Sequence, residues 1–337
     1  MKVRDYVLRR LMILPFLVLI TTIIVFALMR VGGSPIGSYI EPGMSPEEID
    51  RVEARFGLDD SLPVQYLAWL KGVFQGEMGW SAVSNAPVAD VFTDKLTATT
   101  ELAALAGLIA IALGISMGTF AARRRDRWPD QVTRVLAVSG ASMPTFWFGI
   151  IMLIFFWAGL GWFPIGRSDA VIWSSIDHPT GFYTIDAILA GSFTAFRDAI
   201  WHMILPAIVL GYTATAIVAR MMRSSLVEQL GQDYVDAARA KGLPERIVVR
   251  RHARRNALIP TITVIGLMLG ILVEGSVVVE IIFQWPGMGK WLADAVLQGD
   301  QATTMAYVLF MAVLMLLLNL IVDVLYARLD RRVVLGD

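Results

Sequence analysis

Six stretches of this chain contain no Asp, Glu, Lys or Arg: Leu11–Met29, Leu102–Ala122, Val135–Gly166, Ala199–Ala219, Asn256–Val273 and Gln301–Val322. The fifth continues past Glu274 towards Phe283. A bilayer core is crossed by about 20 predominantly apolar residues in a helix. The runs therefore predict an all-α, polytopic membrane protein with six transmembrane helices. Val135–Gly166 has room for a span and a re-entering loop. Composition agrees: of 337 residues, 56% are hydrophobic and 17% charged, against roughly 25% charged in an average soluble domain. The 29 basic residues are balanced by 29 acidic ones, so no net positive field exists to hold a nucleic acid. The absence of cysteine excludes disulfides and Cys-ligated metal. His178, His202 and His252 are too scattered for a histidine metal site.

Basic residues orient the spans. With the N-terminus inside, the inner segments hold Lys2, Arg4, Arg9 and Arg10, then Arg123–Arg134, Arg220–Arg255 and Arg328–Arg332, together 21 of the 29 Lys and Arg residues. Both termini are expected in the cytoplasm of a cell (inner or plasma) membrane. A cleaved signal peptide is the alternative for the first run, but Gly32-Gly33-Ser34-Pro35 is not an A-x-A-type site. The chain then divides into an N-terminus with its first span (1–30), an external segment with short helices (31–101) and a five-span core (102–337) with an internal loop at 225–256. Outside, Ser45-Pro46-Glu47-Glu48 reads as an N-cap, a first-turn proline and first-turn acids. A helix to about Phe56, stopped near Gly57, follows. Val64–Phe74 reads as an amphipathic piece on the outer membrane face or against the bundle. Residues 160–198 show no clear pattern, and Trp157, Trp162, Trp173 and Trp201 suit an interfacial aromatic belt.

The internal loop carries the most specific pattern. Asp233-Tyr234-Val235-Asp236-Ala237-Ala238-Arg239-Ala240-Lys241-Gly242-Leu243-Pro244 predicts a short helix with acids at its start and bases at its end, matching the helix dipole. Gly242 suits a left-handed cap and Pro244 forbids continuation. Ala237, Ala238 and Ala240 give a thin profile that another protein can approach closely. A basic helix, Ile247–Arg255, leads into span five, with Arg250, Arg251, Arg254 and Arg255 at headgroup level. Positive-inside arithmetic explains the arginines alone, without the alanine-rich capped helix.

These residues resemble a family. Asp236-Ala237-Ala238-x-x-x-Gly242 resembles the Glu-Ala-Ala-x-x-x-Gly loop of ABC importer permeases. Asp233–Pro260 is similar to the loop of the dipeptide/oligopeptide (peptide/nickel) branch, first permease subunit. Tyr6–Leu11, Phe56–Tyr66, Val277–Gly289 and Asn319–Tyr326 agree in order, so the resemblance covers essentially the whole chain. Gly32-Gly33-Ser34-Pro35 stands where the family has Pro-Gly-Asp-Pro, Asp330-Arg331-Arg332 where it closes with Asp-Pro-Arg, and Glu274 where a small or neutral residue is expected.

The resemblance implies a type I ABC importer permease fold. It also implies a complex with a second homologous permease, two ATPase subunits and an external binding protein. No cofactor is expected on this chain. No G-x-x-x-x-G-K-[ST] loop occurs, and Gly287-Met288-Gly289-Lys290 lacks the spacing, so ATP and Mg are expected on the ATPases and the chain is not itself an enzyme. Asp233, Tyr234, Asp236, Ala237, Ala238, Arg239, Lys241 and Gly242 would sit in an ATPase groove, and ATP-driven closure would rock the spans between inward- and outward-open states. Peptides are the expected substrates, with nickel chelates or oligosaccharides as alternatives.

For the pathway, Ser142 and Met143 flank Pro144, where a simple kink is the bland reading. Tyr212 lies beyond Pro206 in span four. Glu274 and Glu280 are ionisable groups at membrane depth, where they normally meet a cavity or a partner. Gly270, four residues from Glu274, marks a face of close helix approach. Glu274 is expected to border the cavity and favour cationic groups, or to bond across the interface with the second permease. Glu280 lies near the outer end, and Asp323 is placed to pair with Arg328. A stand-alone secondary transporter would show inverted halves with matching broken helices. An intramembrane enzyme would show a G-x-S-x-G or H-E-x-x-H motif. The chain has neither feature.

Overall fold

The computed structural model of the chain describes residues 3–31, 39–40, 43–56 and 60–329. Helix α1 (Val3–Val31) is followed by α2 (Pro46–Phe56), α3 (Leu62–Phe74) and a two-stranded hairpin of β1 (Trp80–Ser81) and β2 (Ala86–Pro87). Next come α4 (Val88–Arg123), α5 (Trp128–Ser142), α6 (Thr145–Met152), a π-helical stretch (Leu153–Gly159), α7 (Ala170–Trp173), α8 (Tyr183–Leu189) and α9 (Phe193–Leu230). The chain continues through α10 (Asp233–Ala240), α11 (Glu245–Ile247), a π-helical turn (Val248–Ala253), α12 (Arg254–Ile282), α13 (Met288–Gln298) and α14 (Gln301–Leu329).

Among the described residues, four helices are long and apolar enough to cross a membrane: Leu11–Leu28 in α1, then α4, α9 and Gln301–Ile321 in α14. The bent pair Trp128–Gly140 and Thr145–Gly159 makes a fifth if counted as one broken span. The 29-residue α12 occupies the fifth expected run. In the third run the helix begins at Trp128, ahead of the expected Val135, and it breaks at Met143-Pro144, where a kink was the bland reading, with a bend of 108° between the two parts. Pro144 disfavours helical geometry at the residue before it, and Met143 is extended (ψ 124°).

The chain divides into two compact bodies, with the division falling inside α4 and α14. In the body containing Lys2–Thr99 and Pro286–Leu320, Val25 and Trp69 are buried together, with Phe26, Tyr66 and Leu70 packed around them. Thr22 and Tyr66 share a hydrogen bond of 2.8 Å between their hydroxyls. The segment Val64–Phe74 thus lies within α3, packed on the first helix through Trp69. Ser45 and Glu48 form a reciprocal cap: Glu48 Oε2 accepts from Ser45 N at 2.8 Å, and Glu48 N donates to Ser45 Oγ at 3.4 Å. Gly57 lies outside the described residues, as do Gly32–Pro35 and Asp330–Arg332. The hairpin is tied down by Asp300, whose Oδ2 accepts from Ser81 Oγ at 2.9 Å and Val83 N at 3.2 Å.

The body containing Thr100–Trp285 is built around α9. Glycines let neighbouring helices approach its backbone. A Cβ on Gly118 of α4 would stand 2.5 Å from Ala219 O, one on Gly114 would stand 2.6 Å from Val218 Cβ, and one on Gly140 of α5 would stand 2.6 Å from Ala216 Cβ. Gly275 of α12 faces Leu210. Residues 160–198, the second segment expected outside, fold into a lobe. Trp173, Ala187, Ala195 and Ala199 are buried, with Ile172, Ile176, Tyr183 and Phe196 packed on them. Trp173 is therefore a core residue of this lobe and no member of an aromatic belt. Its indole stacks on Tyr183 at 4.2 Å and donates to Asp198 Oδ2 at 2.9 Å. Trp157, Trp162 and Trp201 remain exposed.

Candidate coupling site

Helix α9 ends at Leu230, and Gly231-Gln232 turns the chain directly into α10. Gln232 is the N-cap residue, in extended geometry without a side-chain cap bond. Asp233 and Asp236 occupy the first turn, where the dipole favours anions. Tyr234 donates to Gln229 Oε1 at 2.8 Å, back onto the end of α9. The helix stops because Gly242 adopts φ +75°, a conformation costly for residues with a Cβ. Gly242 N then bonds Arg239 O at 2.9 Å.

The seating of α10 determines which of its residues face outwards. Val235 and Ala238 are buried in a cluster with Ala122 of α4, Met222 and Leu226 of α9, Val248, Val249 and Ala253 of the π turn, and Ala257 of α12. Ala238 therefore packs inward against the chain's own core. The thin outer face is carried by Ala237 and Ala240, exposed beside Asp233, Tyr234, Asp236, Lys241 and Gly242. Arg239 is occupied internally. Its guanidinium reaches Asp236 Oδ1 at 3.0 Å and makes a two-pronged contact with Glu245, at 3.2 and 3.0 Å, across the Gly242-Pro244 stop. That partner holds the Glu245 carboxyl below the usual glutamate range and raises Arg239 in turn. The loop is thus a clamped hairpin: a short helix, a left-handed stop and a return, braced by one arginine.

The pathway candidates fall into separate places. Ser142 and Met143 sit at the break between α5 and α6, with Ser142 exposed. Tyr212 of α9 is half-buried. Its hydroxyl shares a 2.8 Å hydrogen bond with Ser139 of α5, and its ring lies 4.5 Å from that of Phe148. It lines an apolar groove of about 210 Å3 with Ile109, Leu113, Leu136 and Ile208. Ser142, Met143 and Glu280 are not among the residues lining that groove. Glu280, near the C-terminal end of α12, is fully buried. The side chains of Glu274, Asp323 and Arg328 lie outside the described residues.

Among the described residues, the ion pair Glu101–Arg167, buried on both sides, and the pair of buried Asp130 with half-buried Arg223 were not foreseen from the sequence. Glu101 of α4 accepts from Arg167 Nη2 at 3.0 Å and, on its other oxygen, from Thr184 N and Oγ1 at 2.7 and 2.6 Å. Arg167 also donates to Gly181 O at 2.7 Å and lies 3.8 Å over the Tyr183 ring. Asp130, fully buried at the start of α5, is paired with Arg223 of α9. The signal available was weak: single charges at the edges of apolar runs, with partners 66 and 93 residues away.

Long apolar helices that seat a short capped helix between them fit a membrane transport component. The family described as "Binding-protein-dependent transport system inner membrane component" matches residues 95–335. The family described as "Binding-prot-dependent transport system membrane comp, N-term" matches residues 3–103. The chain belongs to this family and is a permease of a binding-protein-dependent transport system. It is 40% identical over 333 residues to the dipeptide transport system permease protein of Escherichia coli K12, covering 98% of each chain. It is 41% identical over 319 residues to the di/tripeptide transport system permease protein of Pseudomonas aeruginosa UCBPP-PA14, covering 93% of each. With the glutathione transport system permease protein of Salmonella choleraesuis SC-B67 it shares 35% identity over 327 residues, 97% of each chain.

Proposed function

We propose that the chain is one permease subunit of an ATP-driven importer of peptides, forming half of the translocation pathway in the cell (inner) membrane. Six spans cross the bilayer and both termini are cytoplasmic. A second homologous permease completes the pathway, two ATPase subunits bind ATP and Mg, and an external binding protein delivers the substrate. The exposed face of α10, formed by Asp233, Tyr234, Asp236, Ala237, Lys241 and Gly242, sits in a groove of one ATPase. When ATP closes the ATPase pair, α10 is carried with it, and the spans change between two discrete packings.

The observation that carries this reading is the seating of α10. Its inner face joins a core shared by α4, α9 and α12, so a displacement imposed on its outer face is transmitted to three long helices. A merely solvated loop has no need of such a seat. The peptide substrate rests on the three named relatives. The test is co-purification followed by reconstitution. A complex holding an ATPase, with peptide uptake that requires both ATP and the binding protein, is expected. A chain that isolates alone and transports unaided would overturn the reading. Orientation is tested by single cysteines in this cysteine-free chain. One at Glu53 labels from outside, whereas one at Arg246 labels only after the membrane is opened, and the reverse pattern refutes the topology.

A further inference from the structure

We propose that Asp130 and Arg223 form a positioning pair that makes α5, the helix broken at Pro144, follow the block driven by α10. The inference rests on the importer reading above and names residues that neither docking nor substrate contact requires.

Arg223 stands two turns before the end of α9, and therefore just behind α10. Its Nη2 donates to Asp130 Oδ2 at 2.6 Å, and its Nε donates to Asp130 Oδ1. This bidentate match fixes direction as well as distance. Asp130 is fully buried in the first turn of α5. Its Oδ2 also accepts from Asp126 N at 3.0 Å, across the α4–α5 turn in which Asp126 adopts φ +63°. Arg134 lies farther off, at 3.8 Å. One carboxylate thus ties together the α4–α5 turn, the start of α5 and the inner end of α9.

The other contacts differ in kind. Helices α4 and α9 interlock through Gly114 and Gly118 against Val218 and Ala219, and the cluster beneath α10 includes residues of α4, α9 and α12 but none of α5. Helix α5 packs along α9, with Gly140 against Ala216 and Ser139 bonded to Tyr212 near its far end, close to the break. At the end nearest α10, the bidentate pair adds a directional link between α5 and α9 to that apolar packing. Beyond the break, Gly149 of α6 faces Ile282 and Val209, so the far half of the same run rests on α12 and α9.

The test uses the full complex in proteoliposomes with binding protein and dialanine, comparing wild type with Asp130→Asn and Arg223→Gln. Dialanine taken up per ATP hydrolysed is expected to fall at least about fivefold in both variants, the lower end of typical coupling between sites. ATPase association should be retained, because neither residue lies on the docking face. Spin labels at Gln131 and Glu228 give a readout independent of the substrate. One narrow separation with and without nucleotide is expected in the wild type, and a broadened one in Asp130→Asn. Arg223→Lys, which keeps the charge but loses the two-pronged match, should give intermediate values of both readouts, and it decides the matter if Asp130→Asn or Arg223→Gln fails to assemble. An unchanged uptake-to-ATP ratio with a narrow separation in the variants that assemble would overturn the proposal. Lack of ATP-driven uptake in the wild type would instead refute the importer reading, leaving the label separations to judge the pair.

Discussion

Replacing Gly242 changes a backbone preference and little else, because no atom lies within 4 Å of where its Cβ would stand. At φ +75°, an alanine costs about 1–2 kcal/mol relative to glycine. Asparagine tolerates this region better and valine tolerates it worst. The stop is otherwise held by Gly242 N to Arg239 O at 2.9 Å, Leu243 N to Ala238 O at 3.4 Å and the Arg239–Glu245 contact. That contact is exposed and contributes no more than about 1 kcal/mol. A loss of 1–2 kcal/mol is a factor of roughly 5–30 in the ratio of formed to unformed hairpin. Apparent affinity for the ATPase falls with the fraction of competent chain, and so by at most that factor. Titrating purified permease complex with ATPase should therefore rank the variants asparagine, alanine, valine in decreasing affinity, with alanine down by up to about 5–30-fold and insertion unchanged. Equal affinity for Gly242→Val and wild type would refute the reasoning, because the left-handed stop would then play no part in docking.

The neighbouring alanines separate docking from packing. Ala237→Arg should leave thermal stability unchanged and abolish ATPase association, whereas Ala238→Arg buries a charge beneath α10 and should lower the stability of the chain itself by about 3 kcal/mol or more. Glu101→Gln strands Arg167 in the lobe of residues 160–198 and should destabilise the solubilised protein by about 3–5 kcal/mol, read as a lower melting temperature. The lowered carboxyl of Glu245 contributes stability that is complete above the ordinary glutamate value of about 4.3 and is lost as pH falls through its depressed value. Hydrogen exchange at Leu243 should therefore show no stability change between pH 8 and 6 and a loss only below about pH 4, and Glu245→Gln should remove that acid transition.

The structure was legible where its signals are local. Gly242 and Pro244 terminate α10 through backbone chemistry that acts within three residues, and Ser45 with Glu48 caps α2 in the same way. The apolar runs marked the long helices, since length alone decides what can span a bilayer. Which alanine of α10 faces inward was not legible. Ala237 and Ala238 are chemically identical, and burial depends on where α4 and α12 come to lie. The start of α5 was hidden because Trp128-Pro129-Asp130 with Arg134 reads as a charged loop until Arg223, 93 residues on, neutralises Asp130. The lobe of residues 160–198 was hidden for a related reason. Helices α7 and α8 are too short to show a period, and they are held by Trp173, Asp198, Glu101 and Arg167 acting across the chain.

The central claim is that an ATPase grips the outer face of α10. It is tested most directly by a photo-crosslinker on a single cysteine at Ala237 in the assembled complex, with Ala238 as the buried control. The account predicts a strong crosslink to the ATPase from Ala237, little from Ala238, and a change in yield when ATP is added. A crosslink that forms with lipid alone, or equally from both positions, would contradict it.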